Sequence, residues 1–159
     1  MKTIAFAGGS SLLAQSWTIK KDHKVDFIFG THRRKLSKTK SKKFAFNYEN
    51  FEELSKELNN LKVNIVINCI GLTSVEECEK NYELAYNANV IIAGNIAKAC
   101  HLSKIKLVHI STDHLFEGSS AFKNEKDSKL PLNNYAKTKS KGEDIILENC
   151  PEALIIRTN

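Results

Sequence analysis

Apolar runs of strand length alternate with longer segments of helical period along the whole chain, the signature of successive βαβ units. Strands are predicted at residues 3–7, 25–31, 43–46, 63–69, 105–110 and 153–157, and helices at 12–18, 51–60, 76–101 (with a break near Asn81) and 134–148. Several strand runs are apolar nearly throughout, as in parallel strands covered on both faces by helices. Right-handed crossovers between them give an α/β fold, a doubly wound parallel sheet. No internal repeat, low-complexity tract or linker interrupts the pattern.

The chain has 159 residues, enough for one domain with one core, and residues 1–159 are expected to form it. The sixth predicted strand runs to the end of the chain with no helix after it, which points to a partial protein. The opening MKTIAFAGGSSLLAQSW has a lysine before an apolar stretch, but that stretch is too short for a secretory signal and runs into glycines. No run approaches the roughly 18 apolar residues of a membrane span, so a soluble, cytoplasmic protein without a membrane partner is expected. Cys69, Cys78, Cys100 and Cys150 are widely spaced, with no CxxC pair and no zinc-type histidine pattern; they read as free thiols in a reducing compartment, and no metal is expected. The net charge of +6 comes from 21 lysines against three arginines. Arginines and aromatic residues that would read or stack on bases are not interleaved with those lysines, so no nucleic acid partner is expected. The densest run, KLSKTKSKK at 35–43, reads as a solvated loop.

The first strand leads directly into Gly8-Gly9-Ser10-Ser11-Leu12-Leu13-Ala14 and then a helix, the place of a dinucleotide-binding turn. On a GxxGxxG spacing the three positions are Gly8, Ser11 and Ala14. Ser11 puts a side chain where a pyrophosphate should come close, and a plain strand-to-helix turn is the alternative. The second strand ends Gly30-Thr31-His32-Arg33-Arg34 without the acid that would take up an adenine ribose hydroxyl. Arg33 or Arg34 is the candidate for the 2′-phosphate of NADP, which favours NADP(H) over NAD(H); a solvated basic pair is the other reading.

Tyr135 and Lys139 form YxxxK at a predicted helix start, and the i, i+4 spacing puts both on one face. Ser111-Thr112-Asp113 lies just past the carboxyl end of the fifth strand, where open α/β sheets bind ligands. Reduction of a ketone by hydride needs a proton at the oxygen. A tyrosine can deliver it if a neighbouring ammonium favours the phenolate, and the Thr112 hydroxyl can hold the oxygen. Surface helix residues and a capping threonine are the plain alternative.

The segments VINCIGLTSVEECEKNYELAYNANVIIAGNIAKAC, LVHISTDHLFEG and PLNNYAKTKSKGE resemble the corresponding stretches of the dTDP-4-dehydrorhamnose reductase family of extended short-chain dehydrogenases. The resemblance covers essentially this whole chain but only the amino-terminal half or so of such a protein. It implies an NAD(P)-binding Rossmann fold and NADPH-dependent reduction of a nucleotide-linked 4-keto sugar, the substrate region lying elsewhere. It further implies Thr112, Tyr135 and Lys139 as the catalytic set, with Lys139 also on the nicotinamide ribose. Asn89 would match an asparagine that supports a proton relay, or serve as a packing or capping residue. Gly8, Ser11, Leu12 and Leu13 would line the pyrophosphate, Asn47 and Tyr48 the adenine, and Cys69, Ile70 and Gly71 the middle of the cofactor; Thr31, at the end of the second strand, is a further cofactor-binding candidate beside Arg33 and Arg34. His114 stands where the family often has tyrosine, either as a substrate contact or as a partly buried loop histidine. Rival readings are a non-catalytic NADP-binding protein of the same fold and an epimerase or dehydratase, with a homodimer as an option in each case.

Overall fold

The computed structural model describes residues 1–17, 24–31, 42–119 and 122–159. Six parallel strands, β1 (Lys2–Ala7), β2 (Val25–Thr31), β3 (Lys42–Ala45), β4 (Ile65–Asn68), β5 (Lys106–Thr112) and β6 (Leu154–Thr158), form one sheet in the order β3-β2-β1-β4-β5-β6. This is the doubly wound arrangement expected from the apolar runs. Side chains alternate across the sheet, so successive residues of β1 enter different cores. Ala5 and Ala7 pack with Leu54, Leu58, Ile92, Ile96 and Ile146 from helices α2 (Phe51–Asn60), α5 (Ile92–Ser103) and α6 (Asn134–Asn149). Phe6 faces the other way, stacks on Phe29 and packs with Ala14 and Trp17 of α1 (Leu12–Trp17). The small alanines on one side let the helices approach closely, while the aromatic residues on the other fill the space above a single short helix.

Element boundaries shift where the backbone turns. The strand expected at 63–69 is confined to Ile65–Asn68, because α2 ends in a left-handed residue, Lys62, and the Val63 amide still donates to the Leu58 carbonyl. The long helix expected at 76–101 is three pieces. Helix α3 (Val75–Lys80) stops before Asn81, whose Oδ1 accepts from the Leu84 amide and caps α4 (Tyr82–Tyr86). The break therefore falls where a side-chain acceptor restarts the helix. A π-helical turn, Asn87–Ile91, then joins α4 to α5 and buries Ala88, Asn89 and Val90. Among the described residues no helix is long and apolar enough to cross a membrane. All four cysteines are free thiols, three of them buried.

Helix α6 lies against the π-helical turn at unusually short range. A Cβ placed on Gly142 would run into the Asn89 carbonyl oxygen, which is backbone and cannot swing aside. By contrast a Cβ on Gly94 would meet only the Ile145 side chain, at 3.3 Å. Gly142→Ala is therefore expected to lower stability by about 2 kcal/mol, the usual cost of overpacking. Gly94→Ala should cost clearly less. Urea unfolding of the two variants checks this ordering, and equal midpoints would rule out the backbone contact.

Candidate functional site

Three loops and one helix converge at the carboxyl ends of β1, β4 and β5. The sheet order makes β1 and β4 neighbours although two strands separate them in sequence, with Ala7 opposite Asn68. The chain thus leaves β1 toward one side of the sheet and resumes on the other, opening a crevice at the reversal. Gly8 lines it with φ +78°, a left-handed conformation suited to glycine, and a Cβ there would press on the Ile70 amide nitrogen at 3.0 Å. The turn is braced by Gly9 N donating to Gly30 O at 2.8 Å and Gln15 Nε2 donating to Gly9 O at 2.5 Å.

The Ser11 hydroxyl has two partners: its Oγ accepts from the Ala14 amide at 3.2 Å, as an amino-terminal cap of α1 does, and it hydrogen-bonds the Cys69 thiol of the facing loop. Leu12 and Leu13 follow with exposed side chains, and their amides lie in the first helical turn, where no intrahelical carbonyl is available. On the facing loop Cys69 and Ile70 are partly buried and Gly71 is exposed. Burial pushes the Cys69 thiol up, opposed by a hydrogen bond from Ser11 and by the charge of Lys139.

The proton-transfer candidates come from β5 and α6. Thr112 ends β5, is buried, and accepts at Oγ1 from the His114 amide at 3.3 Å, which leaves its own hydroxyl hydrogen free to donate. Asn133 caps α6 by accepting from the Ala136 amide at 2.8 Å and so sets where the helix begins, one turn before Lys139. Tyr135 packs with Leu72, Val75, Cys78 and Ala85. The His114 ring meets Tyr135 edge-on at 5.8 Å and is exposed to solvent, not partly buried.

Lys139 is seated differently from the sequence expectation. Its Nζ donates to the Ile110 carbonyl at 2.8 Å and lies 3.2 Å from His109 Nε2, while no hydrogen bond joins it to Tyr135. Burial lowers its pKa from 10.5 to about 8, against the opposing pull of Glu143 and Cys69. Asn89 is also fully used within the fold. Its Oδ1 accepts from Leu72 N at 2.8 Å, and its Nδ2 donates to Leu72 O at 3.1 Å and to Thr138 Oγ1 at 2.9 Å. Its amide ties the loop after β4 to α6, which is the packing alternative.

Asn47 donates from Nδ2 to Glu53 Oε2 at 2.8 Å, and Tyr48 is buried in the main core beside Phe46, with its carbonyl accepting from Asn95 Nδ2 at 3.1 Å and its phenol bonded to the Gly8 backbone. Thr31 closes β2, and Arg33 and Arg34 lie outside the described residues. The sequence reading missed Asn68, His109 and the Glu143–Arg157 pair. Asn68 and His109 are polar residues inside otherwise apolar strands, and that is the signal that could have found them. Burial would raise the Glu143 carboxyl, but Arg157 donates to both its oxygens at 3.0 and 2.8 Å and holds it below the ordinary value.

Residues 4–159 match the RmlD substrate binding domain family. The chain belongs to that family. It is 35% identical over 120 residues to dTDP-4-dehydrorhamnose reductase of Salmonella typhimurium, covering 75% of this chain and 40% of that protein. A solved dTDP-4-dehydrorhamnose reductase of Clostridium acetobutylicum superposes with a TM-score of 0.82 at 30% identity, over 99% of this chain and 53% of that one. The Bacillus anthracis enzyme of that name, solved in complex with NADP, gives 0.82 at 26% identity and the same coverages, 99% and 53%. The family member described here thus spans about half the length of the relatives it matches.

The seat of Lys139 carries a stability signature. The unfolded chain keeps this proton up to about 10.5, whereas the folded chain gives it up near 8. Between those values the unfolded state binds more protons, so this residue's contribution to stability rises with pH. Buried Cys100 and Cys150 slope the other way, since burial pushes both thiols up and the folded state keeps their protons longer. The difference in denaturation midpoint between the wild type and Lys139→Met cancels the thiols. It should grow in favour of the wild type from pH 8 to 10.5. A flat difference would mean that Lys139 is not buried as described.

Proposed function

We propose that this chain is the nucleotide-binding part of an NADPH-dependent reductase acting on a nucleotide-linked 4-keto sugar. The observation that carries the reading is the convergence of the Gly8–Ser11 turn, the Cys69–Gly71 loop, Thr112, Tyr135 and Lys139 at the reversal of the sheet, in a chain of this family. Fold alone would not assign a reaction; the residue set is what supports this one.

The cradle fits a dinucleotide. Gly8 brings backbone close to backbone, the Ser11 hydroxyl caps α1, and the first-turn amides of Leu12 and Leu13 are the donors that a pyrophosphate would take. Asn47 and the Tyr48 backbone would border the adenine. Arg33 and Arg34, following Thr31, would hold the 2′-phosphate and make NADP(H) the preferred cofactor. The bound nicotinamide would supply hydride to the keto carbon. Tyr135 would give its proton to the sugar oxygen, the free hydroxyl hydrogen of Thr112 would hold that oxygen, and Lys139 would support the phenolate and a ribose hydroxyl. The nucleotide-sugar contacts, and any homodimer, belong to the longer protein, working in the cytoplasm.

Titration with NADPH and NADH, followed by nicotinamide fluorescence, tests the cofactor half. NADPH should bind more tightly, and replacing Arg33 and Arg34 with alanine should remove most of that preference, by about tenfold or more for a lost charge-assisted phosphate contact. In the longer protein Tyr135→Phe should keep NADPH binding and abolish turnover. Binding with no turnover in the parent would instead favour a regulatory protein of the same fold, and a preference for NADH would favour an epimerase or dehydratase.

A further inference from the structure

β5 carries a single histidine, His109, which is 1% exposed and lies directly across from Asn68 of β4 in the parallel register. Both ring nitrogens are engaged. Nδ1 is 3.0 Å from Asn68 Nδ2 and Nε2 is 3.2 Å from Lys139 Nζ. The direction of the first contact follows from its neighbour. The Ile70 backbone N–H, which can only donate, points at Asn68 Oδ1 at 2.9 Å, so the oxygen of that amide faces Ile70 and its nitrogen faces the histidine. An amide nitrogen only donates. His109 Nδ1 must therefore accept, and the proton of the neutral ring is on Nε2.

That proton points at Lys139. An ammonium has three hydrogens and no lone pair, so it cannot receive the Nε2 proton; a neutral amine can. The other bond of Nζ, donated to the Ile110 carbonyl, suits either form. The hydrogen bonds close only when lysine and histidine are both neutral.

We propose that His109 is a positioning residue that couples the proton state of Lys139 to its place: with the imidazole proton pinned on Nε2, the seat on β5 holds lysine only as the amine, and protonation drives Nζ out of it. The surroundings are consistent. Facing Lys139 are Cys69 beyond β4, His109 of β5 and Glu143 of its own helix. Glu143 is committed to Arg157 and lies 3.5 Å from Lys129. Burial holds His109 well below the usual histidine value, so the ring does not charge in its place. The use of this coupling rests on the reductase reading: a lysine that leaves β5 takes one proton from solvent and becomes the ammonium that a Tyr135 phenolate needs.

The test uses the ¹⁵N-labelled 159-residue chain without cofactor. Long-range proton–nitrogen NMR correlations, recorded well above and well below pH 8, read the His109 tautomer, and the Nζ nitrogen reads Lys139. Above pH 8 a bare Nδ1 and a protonated Nε2 are expected, with the Nε2 proton shifting as Lys139 charges. His109→Gln places an oxygen where an ammonium can donate, so the proton affinity of Lys139 should rise about tenfold, one pH unit. A proton on Nδ1 above pH 8, or a His109→Gln chain in which Lys139 titrates unchanged, overturns the proposal. The tautomer is read on the unsubstituted chain, so a misfolded variant cannot mask the answer. Neither readout involves turnover, so each reading can fail without the other.

Discussion

The contact between the Gly142 backbone and the Asn89 carbonyl is the constraint on which the site depends. Helix α6 supplies both Tyr135 and Lys139, and its height above the sheet is fixed where it meets the π-helical turn without a side chain between them. The same turn aims the Asn89 amide at both Leu72 and Thr138, so one residue sets the loop after β4 and the helix above it. π-helical turns often occur at functional sites, and here the extra residue per turn is what brings Asn89 inward. Asn89 thus holds the loop after β4 and helix α6 together.

Much of the fold could be read from the chain because the inner strands β4 and β5 are largely buried and read as apolar runs. IVIN and LVHIST stand out against helical segments by length and by β-branched content, and the order of runs leaves little choice of topology. What could not be read were the places where side chains replace backbone partners. The cap at Asn81 was visible only as a break, and the π-helical turn left no mark because a one-residue widening hardly alters hydrophobic period over so short a stretch.

The site divides in the same way. Thr112, Tyr135, Lys139 and Gly8 are candidates that spacing and position at strand ends single out. The directions of their side chains were not legible. Ser11 caps α1 and also reaches Cys69, and Lys139, one turn from Tyr135 on α6, sends its Nζ to the Ile110 carbonyl of β5. Spacing along a helix says which residues share a face, but which partner a four-carbon side chain selects depends on carbonyls and imidazoles from strands distant in sequence. Asn68 and His109 are 41 residues apart and meet only because β4 and β5 pair in parallel.

The Glu143–Arg157 pair joins the helix that bears the lysine to the last strand of the sheet. Glu143 is one turn beyond Lys139, and Arg157 pairs in register with Ser111, the residue before Thr112. A displacement of the edge strand therefore pulls on both sides of the crevice at once, through the guanidinium fork on α6 and through the ladder on β5. Whatever leans on β6 is mechanically geared to the crevice, and that strand works as its lever.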